Sequence, residues 1–494
     1  MLRKFDERLG EDVGKIFTPL VLFPICILAL LTGCNDSRST VPLSADNVNL
    51  IFVSSPDLAY HTTGDIKPDT ANLTDQGLHR SLLMAPFLKQ QVLGGKNATA
   101  IYTLTPMTHL QTDQGYPDMA AIWYMQQFAL LNQFTLPVDA AGTTYTALSY
   151  PLYSAYAPGS VPSGVAVPGS YCPDCAGLDF NNTGGNNDAL VSGIITGKKP
   201  GYYVFSAPWE TISALMTQIN RLFGYNLNLP SNFMGSNAVY AISIAPGRSA
   251  SLFSYDTNLD PSASYPPLPS PVATGACPYA LQPRFSTVRT GGVDGAVIPA
   301  DINKNQKIYI IRHAEAHPDP THRFEDGNYV GAGQWRALAL PNALRDKINP
   351  DMVLSIDPGQ WAFTGAANIA YVRPSLTIMP YAVANNLPYY LVSSFELGNP
   401  DEPRLASNYL FTGGAFSNKT ILLAWESSRI KPLINALLSK YGGSNLSLLP
   451  TAWPSADYDT IWTVTLDALG NVTVDNDLCE GIDSAGLPAT APQY

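Results

Sequence analysis

The chain has 494 residues, of which 46% are hydrophobic and 14% are charged, and this balance excludes a disordered chain and a polytopic membrane protein. A chain of this length usually forms more than one domain, so we predict two. The formal net charge of -11 disfavours nucleic acid as a partner, although a local arginine pocket can still bind a small anion.

An apolar segment at residues 16–31 is the first feature in chain order. It has the length of a signal-peptide core and is short for a spanning helix. A Leu-Thr-Gly-Cys sequence ending at Cys34 follows and resembles a bacterial lipobox, in which the cysteine is acylated. We therefore predict a signal peptide over residues 1–33, lipidation of Cys34, a polar tether over residues 34–45 and a location in the cell envelope. Acidic residues before the apolar segment cancel the basic ones, unlike in most signal peptides, so an uncleaved anchor is the alternative.

Apolar strands alternate with amphipathic helices over residues 46–258, which predicts an α/β domain. The predicted strands begin near residue 50 and continue at 100–103, 202–206 and 238–244, and the predicted helices begin at Gly77 and Trp209. An insertion at about residues 137–197 is rich in Pro, Gly, Tyr and Asn. A Pro/Ser-rich linker is predicted over residues 259–303. Both segments are expected to be irregular.

Four cysteines lie beyond the lipobox, and in an exported chain they predict two disulfides of unknown pairing: Cys172, Cys175, Cys277 and Cys479. Cys172 and Cys175 form a C-x-x-C sequence, for which a redox or zinc pair is the alternative. No second C-x-x-C pair and no histidine occur near it, which favours a disulfide within a loop.

Residues 304–494 repeat the order of strands and helices of the first half. The predicted strands lie at 308–311, 352–355, 421–425 and 460–466. The first of them is apolar, β-branched and followed directly by Arg312 and His313. The carboxyl edge of a parallel sheet is where α/β proteins bind ligands. A guanidinium there can grip phosphate oxygens and an imidazole can attack phosphorus, whereas the alternative is a surface ion pair at a strand end.

Three sequence elements of the second half resemble the histidine phosphatase (phosphoglycerate mutase-like) superfamily. They are the Arg-His-x-Glu sequence at residues 312–315, the Gly-x-x-Arg helix start at Gly333 and the Arg-x-x-x-Thr sequence beginning at Arg373. The resemblance covers nearly all of residues 305–475 and, more weakly, residues 46–250. It implies two tandem three-layer α/β/α domains with mostly parallel sheets, of which the first is degenerate.

The resemblance implies that His313 receives the phosphoryl group and that Arg312 and Arg373 grip it. The family's second histidine is replaced by Ser427, and loss of one such donor typically slows turnover roughly 100- to 1000-fold. This implies a slow enzyme.

The first half departs further from the family pattern. Ser54 and Ser55 replace the Arg-His pair, and Ser206-Ala207 is matched to the second histidine. No arginine occurs near Thr112, where the gripping arginine is expected. The first half is therefore predicted to lack this chemistry.

The general acid is a carboxylate whose position varies within the family. Glu426 at a strand end is a candidate, whereas Glu315 is expected to orient Arg312. Further candidates lie in segments predicted to cover the pocket: Glu325, Asp326 and Glu396. The remaining histidines are expected to be surface or non-catalytic residues: His61, His79, His109, His317 and His322.

Together these features predict a membrane-anchored phosphatase for a small phosphomonoester, with a phosphohistidine intermediate and weakened activity. The alternative is an inactive pseudo-phosphatase that serves as an anion-binding or scaffold lipoprotein of the envelope. The expected partners are a small phosphorylated substrate or anion and, through the lipid, a membrane; no cofactor, metal or nucleic acid is expected.

Overall fold

The computed structural model describes residues 41–132, 134–137, 144–147, 152–153, 177–277, 279, 281–316, 327–358, 361–363, 368–392, 401–443, 449–450 and 452–494. Several predictions lie outside these residues: the signal peptide, Cys34, Cys172, Cys175, His317, His322, Glu325, Asp326 and Glu396. Among the described residues, no helix combines the length and apolar character needed to cross a membrane.

The first half contains ten strands and four helices among the described residues. They are β1 (Val48–Ser54), α1 (Asp75–Phe87, extended by a π-helical turn Leu88–Val92), β2 (Ala100–Thr103), β3 (Leu110–Gln111), β4 (Tyr116–Pro117), α2 (Ala120–Leu130), β5 (Phe134–Pro137), β6 (Thr144–Ala147), β7 (Leu152–Tyr153), α3 (Asn186–Gly197), β8 (Gly201–Ala207), α4 (Trp209–Phe223), β9 (Ala238–Ile244) and β10 (Ala250–Asp256). Six of the strands form a sheet in the order β10-β9-β1-β8-β2-β7.

The second half contains nine strands and four helices among the described residues. They are β11 (Ser286–Arg289), β12 (Gln306–Arg312), α5 (Gly331–Ala343), β13 (Met352–Ile356), β14 (Trp361–Phe363), β15 (Asn368–Ala370), α6 (Arg373–Asn385), β16 (Tyr389–Val392), α7 (Glu402–Phe411), β17 (Thr420–Trp425), α8 (Ser427–Lys440), β18 (Thr460–Leu466) and β19 (Val472–Cys479). Seven of the strands form a sheet in the order β11-β19-β18-β12-β17-β13-β16. Short 3-10 turns occur at Pro106–Thr108, Thr183–Gly185 and Ser484–Gly486.

Both sheets are mixed, with parallel strands on one side and antiparallel strands on the other. In the first sheet, β1 pairs with β8 in parallel and with β9 in antiparallel orientation. In the second sheet, β12 pairs with β17 in parallel and with β18 in antiparallel orientation. The mixed α/β class is thereby confirmed, and six strands of each sheet follow one another in the same order.

The strand register corrects one alignment of the two halves. Ser54 lies opposite Ala207 in the first sheet, as Arg312 lies opposite Trp425 in the second. Trp209, which begins α4, therefore takes the place of Ser427, which begins α8. The match of the second histidine to Ser206-Ala207 was wrong, because the equivalent position is Trp209, two residues after Ala207. Apolar strands of similar composition do not fix their own register.

Two segments predicted to be irregular contain regular structure. The end of the insertion forms helix α3, which packs beside α4 as α7 packs beside α8. Part of the linker forms β11, which pairs with β19 at the edge of the second sheet. In both segments, packing against a neighbouring element stabilises regular structure that the composition alone does not predict.

A disulfide joins the linker to the last strand of the second sheet. It links Cys277 to Cys479, which are 202 positions apart. An isolated bridge between Thr274 and Ile482 lies beside it. The linker is therefore held against the second half of the chain.

The two halves share one buried apolar cluster. It includes Ile51 and Val53 of β1, Ile311 of β12 and Leu376 of α6. Polar contacts cross the same boundary, since Gln126 of α2 donates a hydrogen bond to Asn328, at 2.8 Å. The described residues accordingly belong to one compact unit.

Candidate active site

Three segments of the second half meet at the carboxyl end of β12. The backbone N–H of His313 donates to the carbonyl of Trp425, at 3.0 Å, which joins the ends of β12 and β17. The next backbone N–H, of Ala314, donates to the hydroxyl of Thr377 in α6, at 2.8 Å. These contacts fix the backbone on which the predicted nucleophile stands.

Acceptors flank both ring nitrogens of His313. Nδ1 lies 2.8 Å from the carbonyl of Ala314, and Nε2 lies 3.0 Å from Oε2 of Glu426. The side chain is 2% exposed. Burial lowers the pKa of His313, and the charges of Arg312 and Arg373 add to the shift while Glu426 opposes it. An imidazole ring that is held through Nδ1 and loses its Nε2 proton easily is suited to nucleophilic attack through Nε2.

Glu426 is the N-cap of α8 and is held from several sides. Its Oε2 accepts a hydrogen bond from the hydroxyl of Tyr371, and its Oε1 accepts from the hydroxyl of Ser427, at 3.1 Å, and from the N–H of Ser428, at 3.3 Å. Burial favours a raised pKa, but His313, Tyr371 and Arg312 outweigh it and hold the pKa of Glu426 well below its usual range. Glu426 is therefore an anion in hydrogen-bond contact with the predicted nucleophile.

Arg312 is fixed by backbone carbonyls and by an aromatic ring. Its Nη1 donates to the carbonyls of Ser455 and Asp457, at 2.7 and 3.1 Å, and its Cζ lies 3.9 Å from the ring centroid of Tyr458. Its buried Nε has no hydrogen-bond partner among the described residues. A fixed guanidinium with a remaining donor is suited to binding one oxygen of an anion.

Arg373 is the first residue of α6 and is almost fully buried. Its N–H donates to the carbonyl of Gly327, at 2.9 Å, and its Cζ lies 5.1 Å from the ring centroid of Tyr371. Since the charge of Arg373 acts on the pKa of His313, the two side chains lie in the same electrostatic environment. The structure thus brings together His313, both arginines and Glu426.

Glu315 does not orient Arg312, contrary to the expectation from the sequence. Its carboxylate accepts two hydrogen bonds from Nε of Arg336, at 2.9 and 3.0 Å. Gly333 lets α5 lie close to the backbone of Glu315, because a Cβ at this position would lie 2.6 Å from the Glu315 carbonyl oxygen. Glu315 therefore belongs to a buried ion network behind the site.

Ser427 lies beside the site but acts on it through Glu426. Its hydroxyl donates a hydrogen bond to the Glu426 carboxylate. The position expected to hold the second histidine therefore stabilises a negative charge and supplies no positive one. Arg429 lies in the first turn of α8.

Tyr371 and Tyr458 are the site residues that the sequence reasoning missed. The rings of both lie edge-on to His313, with centroids at 6.3 and 6.2 Å. Tyr371 stands two residues before Arg373, which is a weak signal, whereas Tyr458 is 145 positions from His313 and gives none. Among the described residues, no cluster of His, Cys, Asp and Glu is arranged to hold a metal ion.

Comparison with known proteins gives partial matches. No family model and no curated protein matches the chain. A solved structure assigned as the phosphohistidine phosphatase SixA from Agrobacterium tumefaciens aligns over 33% of this chain and 92% of its own, at 20% identity and a TM-score of 0.21. One assigned as an alpha-ribazole-5'-P phosphatase from Escherichia coli K-12 aligns over 36% of this chain and 99% of its own, at 13% identity and a TM-score of 0.21.

Proposed function

We propose that the chain is a histidine phosphatase-like protein that hydrolyses a small phosphomonoester through a phosphohistidine at His313. The observation that carries the proposal is the setting of this histidine. Its Nδ1 is held by the Ala314 carbonyl, its Nε2 faces Glu426, and the charges of Arg312 and Arg373 act on it. The two halves are proposed to be tandem domains of this type, with the first one degenerate.

Substrate binding prepares the nucleophile by moving one proton. With Glu426 ionised, a proton on Nε2 satisfies the contact between the two side chains. A phosphate dianion held by Arg312 and Arg373 adds negative charge beside Glu426 and raises the pKa of that carboxyl. The proton then passes to Glu426, which turns aside and leaves the Nε2 lone pair free.

The first chemical step forms the bond between Nε2 and phosphorus and breaks the bond between phosphorus and the ester oxygen. The arginines stabilise the charge on the equatorial oxygens, and Glu426 gives its proton to the leaving oxygen. In the second step, water attacks phosphorus and passes a proton to Glu426, and the bond to Nε2 breaks. Phosphate leaves and the histidine is regenerated.

The proposal is tested by trapping the intermediate on the full chain. The protein is mixed with p-nitrophenyl phosphate, glycerol 3-phosphate, phosphoserine and glucose 6-phosphate, quenched in alkali and digested. We expect phosphate release from at least one ester and a phosphorylated peptide whose label is lost in acid and maps to His313. Absence of both release and acid-labile label with every ester would exclude the enzyme.

Replacement of Glu426 by glutamine tests its role in proton transfer. Glutamine keeps the size of the side chain but cannot deliver a proton, so turnover of glycerol 3-phosphate is expected to fall roughly 100- to 10,000-fold. Turnover of p-nitrophenyl phosphate is expected to fall much less, because nitrophenolate leaves without protonation. Both rates are measured as kcat at pH 7.

Glu402→Gln is the matched control for this variant. Glu402 is fully buried in the same half, and burial raises its pKa to about 8, so it is already neutral at pH 7. We expect unchanged rates with both esters. An equal loss for the two esters in Glu426→Gln would contradict proton donation and assign Glu426 a purely structural role.

An anion-binding pseudo-phosphatase is the second candidate, and one contact favours it. The Glu426 carboxylate occupies the direction from which phosphorus must approach Nε2. If the carboxylate does not turn aside, the arginines bind an anion without reaction. Phosphate binding measured by calorimetry, with no labelled His313, would support this candidate.

We also propose that the protein is anchored to a bacterial membrane through a lipid on Cys34 and faces the periplasm or the exterior. The lipobox-like sequence and the disulfide between Cys277 and Cys479 support this location, because disulfides persist in oxidising compartments.

A further inference from the structure

The first half places acidic groups at the sheet edge that corresponds to the active site of the second. The N–H of Ser55 donates to the carbonyl of Ala207, at 2.9 Å, as that of His313 donates to the carbonyl of Trp425. Ser55 thus projects from the same strand end and the same face as His313 does. Its hydroxyl is buried and has no hydrogen-bond partner among the described residues.

Three carboxyl groups and one imidazole lie in the segments that follow the ends of the neighbouring strands β1, β2 and β8. Nδ1 of His109 lies 2.9 Å from Oδ2 of Asp118, and the charges of Asp118, Glu210 and His109 all act on the pKa of Asp57. Asp57 and Asp118 are almost fully buried. The cluster therefore has more acidic than basic groups, which is the opposite of the second half.

Two of these carboxyl groups have an oxygen with no partner among the described residues. Asp57 uses Oδ1 to accept from the N–H of Tyr60, which leaves Oδ2 buried and unpaired, and Oε2 of Glu210 is likewise buried and unpaired. The hydroxyl of Ser206, on the neighbouring strand, is also buried and has no hydrogen-bond partner among the described residues. Buried acceptors without donors are costly, so the position favours a ligand that brings donors.

Among the described residues, the basic side chain that acts on the pKa of Asp57 is His109. No lysine or arginine is among the groups whose charges act on the pKa of Asp57 or of His109. The insertion at residues 137–197 contains no lysine or arginine in its sequence. A bound cation would therefore add to the positive charge that His109 can supply at this position.

Aromatic residues flank these acidic groups in sequence and pack together in the apolar cluster of the first half. The ring of Phe233 lies 5.7 Å from that of Tyr60, which follows Asp57, and 6.1 Å from that of Trp209, which precedes Glu210. Aromatic faces attract organic cations. Because the described residues hold no cluster arranged for a metal ion, an organic cation fits better than a metal.

We propose that the carboxyl edge of the first sheet binds a small molecule with a primary ammonium group, through Asp57, Glu210 and Ser55. The ammonium brings three donors and one positive charge, which matches the unpaired carboxylate oxygens and the hydroxyl. The site is independent of the phosphatase proposal, since it shares none of its residues.

Isothermal titration calorimetry of the full chain tests this site, with ethanolamine, putrescine, choline and magnesium chloride as separate titrants. We expect saturable binding of a primary amine and weaker binding of choline, which lacks N–H donors. The double variant Asp57→Asn, Glu210→Gln removes both charges at constant size and is expected to weaken amine binding about tenfold or more. Asp113→Asn, which removes an exposed charge in the same half, is expected to bind as the unchanged chain does.

Binding should also strengthen as pH rises from 6 to 8. Burial raises the pKa of Asp57 to about 7, so its carboxyl ionises in this range. The contact with Asp118 raises the pKa of His109 against the effect of burial, and loss of its positive charge acts in the same direction, so Asp57→Asn should reduce the dependence without abolishing it. Ser55→Ala, which keeps every charge, should weaken binding less than the double variant does. The proposal would be overturned if no amine binds saturably, or if magnesium binds in preference to the amines. It would also be overturned if the double variant is folded and still binds the amine as the unchanged chain does.

Discussion

The His313→Asn variant is expected to lose the proposed phosphoryl transfer by roughly a thousandfold or more. Asparagine fits the buried position and offers an amide where the ring stood, but it provides no lone pair that can attack phosphorus. The expected loss is in kcat for every ester, including p-nitrophenyl phosphate, because the leaving group does not affect the need for a nucleophile. The acid-labile label should disappear at the same time.

His109→Asn is the matched control for this variant. His109 is likewise paired with a carboxylate, 2.9 Å from Asp118, but it is less buried than His313 and lies in the first half. It should leave turnover unchanged. A different result would contradict this role for His313. If His313→Asn unfolds at the normal temperature but keeps turnover with the same ester preference, another group attacks phosphorus.

The regular elements were predictable where local sequence determines them. Strands such as 100–103, 238–244 and 460–466 and the helix at 209–223 lie at the predicted positions, because β-branched runs and helical periodicity identify buried faces directly. The helix α3 was missed, because its Asn and Gly content resembles a loop and its stability comes from packing beside α4.

The candidate site was predictable only for residues adjacent in sequence or carried by a family motif. Arg312, His313 and Arg373 fall into this class. The contacts of Glu426 with His313 and Tyr371, and of Arg312 with Tyr458, depend on how distant segments approach one another. The partner of Glu315 was misjudged for the same reason, since proximity in sequence pointed to Arg312 while the fold brings in Arg336.

Replacement of Arg336 by methionine is expected to destabilise the chain by about 3–5 kcal/mol, because it removes the positive charge of a buried ion network. Arg336 is fully buried and donates to Glu315, to Glu480, at 2.6 Å, and to the carbonyl of Ile482, at 3.1 Å. Methionine fills similar space but leaves two buried carboxyl groups without a cation. The free energy of unfolding is measured by urea titration at pH 7.

Arg404→Met is the control for loss of a surface charge. Arg404 is 58% exposed and lies 3.5 Å from Asp401, so this pair is worth at most about 1 kcal/mol. If Arg336→Met lowers the free energy of unfolding no more than Arg404→Met does, the buried network contributes little to stability.

The loss of stability in Arg336→Met should also grow above about pH 8, and the sign follows from Glu480. Burial raises the pKa of Glu480 to about 8 even though Arg336 opposes the shift, so removal of Arg336 raises this pKa further. A carboxyl that keeps its proton in the folded chain but loses it in the unfolded chain stabilises the fold at low pH. That stabilisation declines by up to about 1.4 kcal/mol for each pH unit above the unfolded pKa. Because this decline continues up to the folded pKa, it is the same in both chains below pH 8 and continues above pH 8 only in Arg336→Met. Unfolding free energies at pH 6.5, 8 and 9.5 should therefore differ from those of the unchanged chain by a constant amount at the two lower values and by more at pH 9.5, and a constant difference up to pH 9.5 would contradict the role assigned to Glu480.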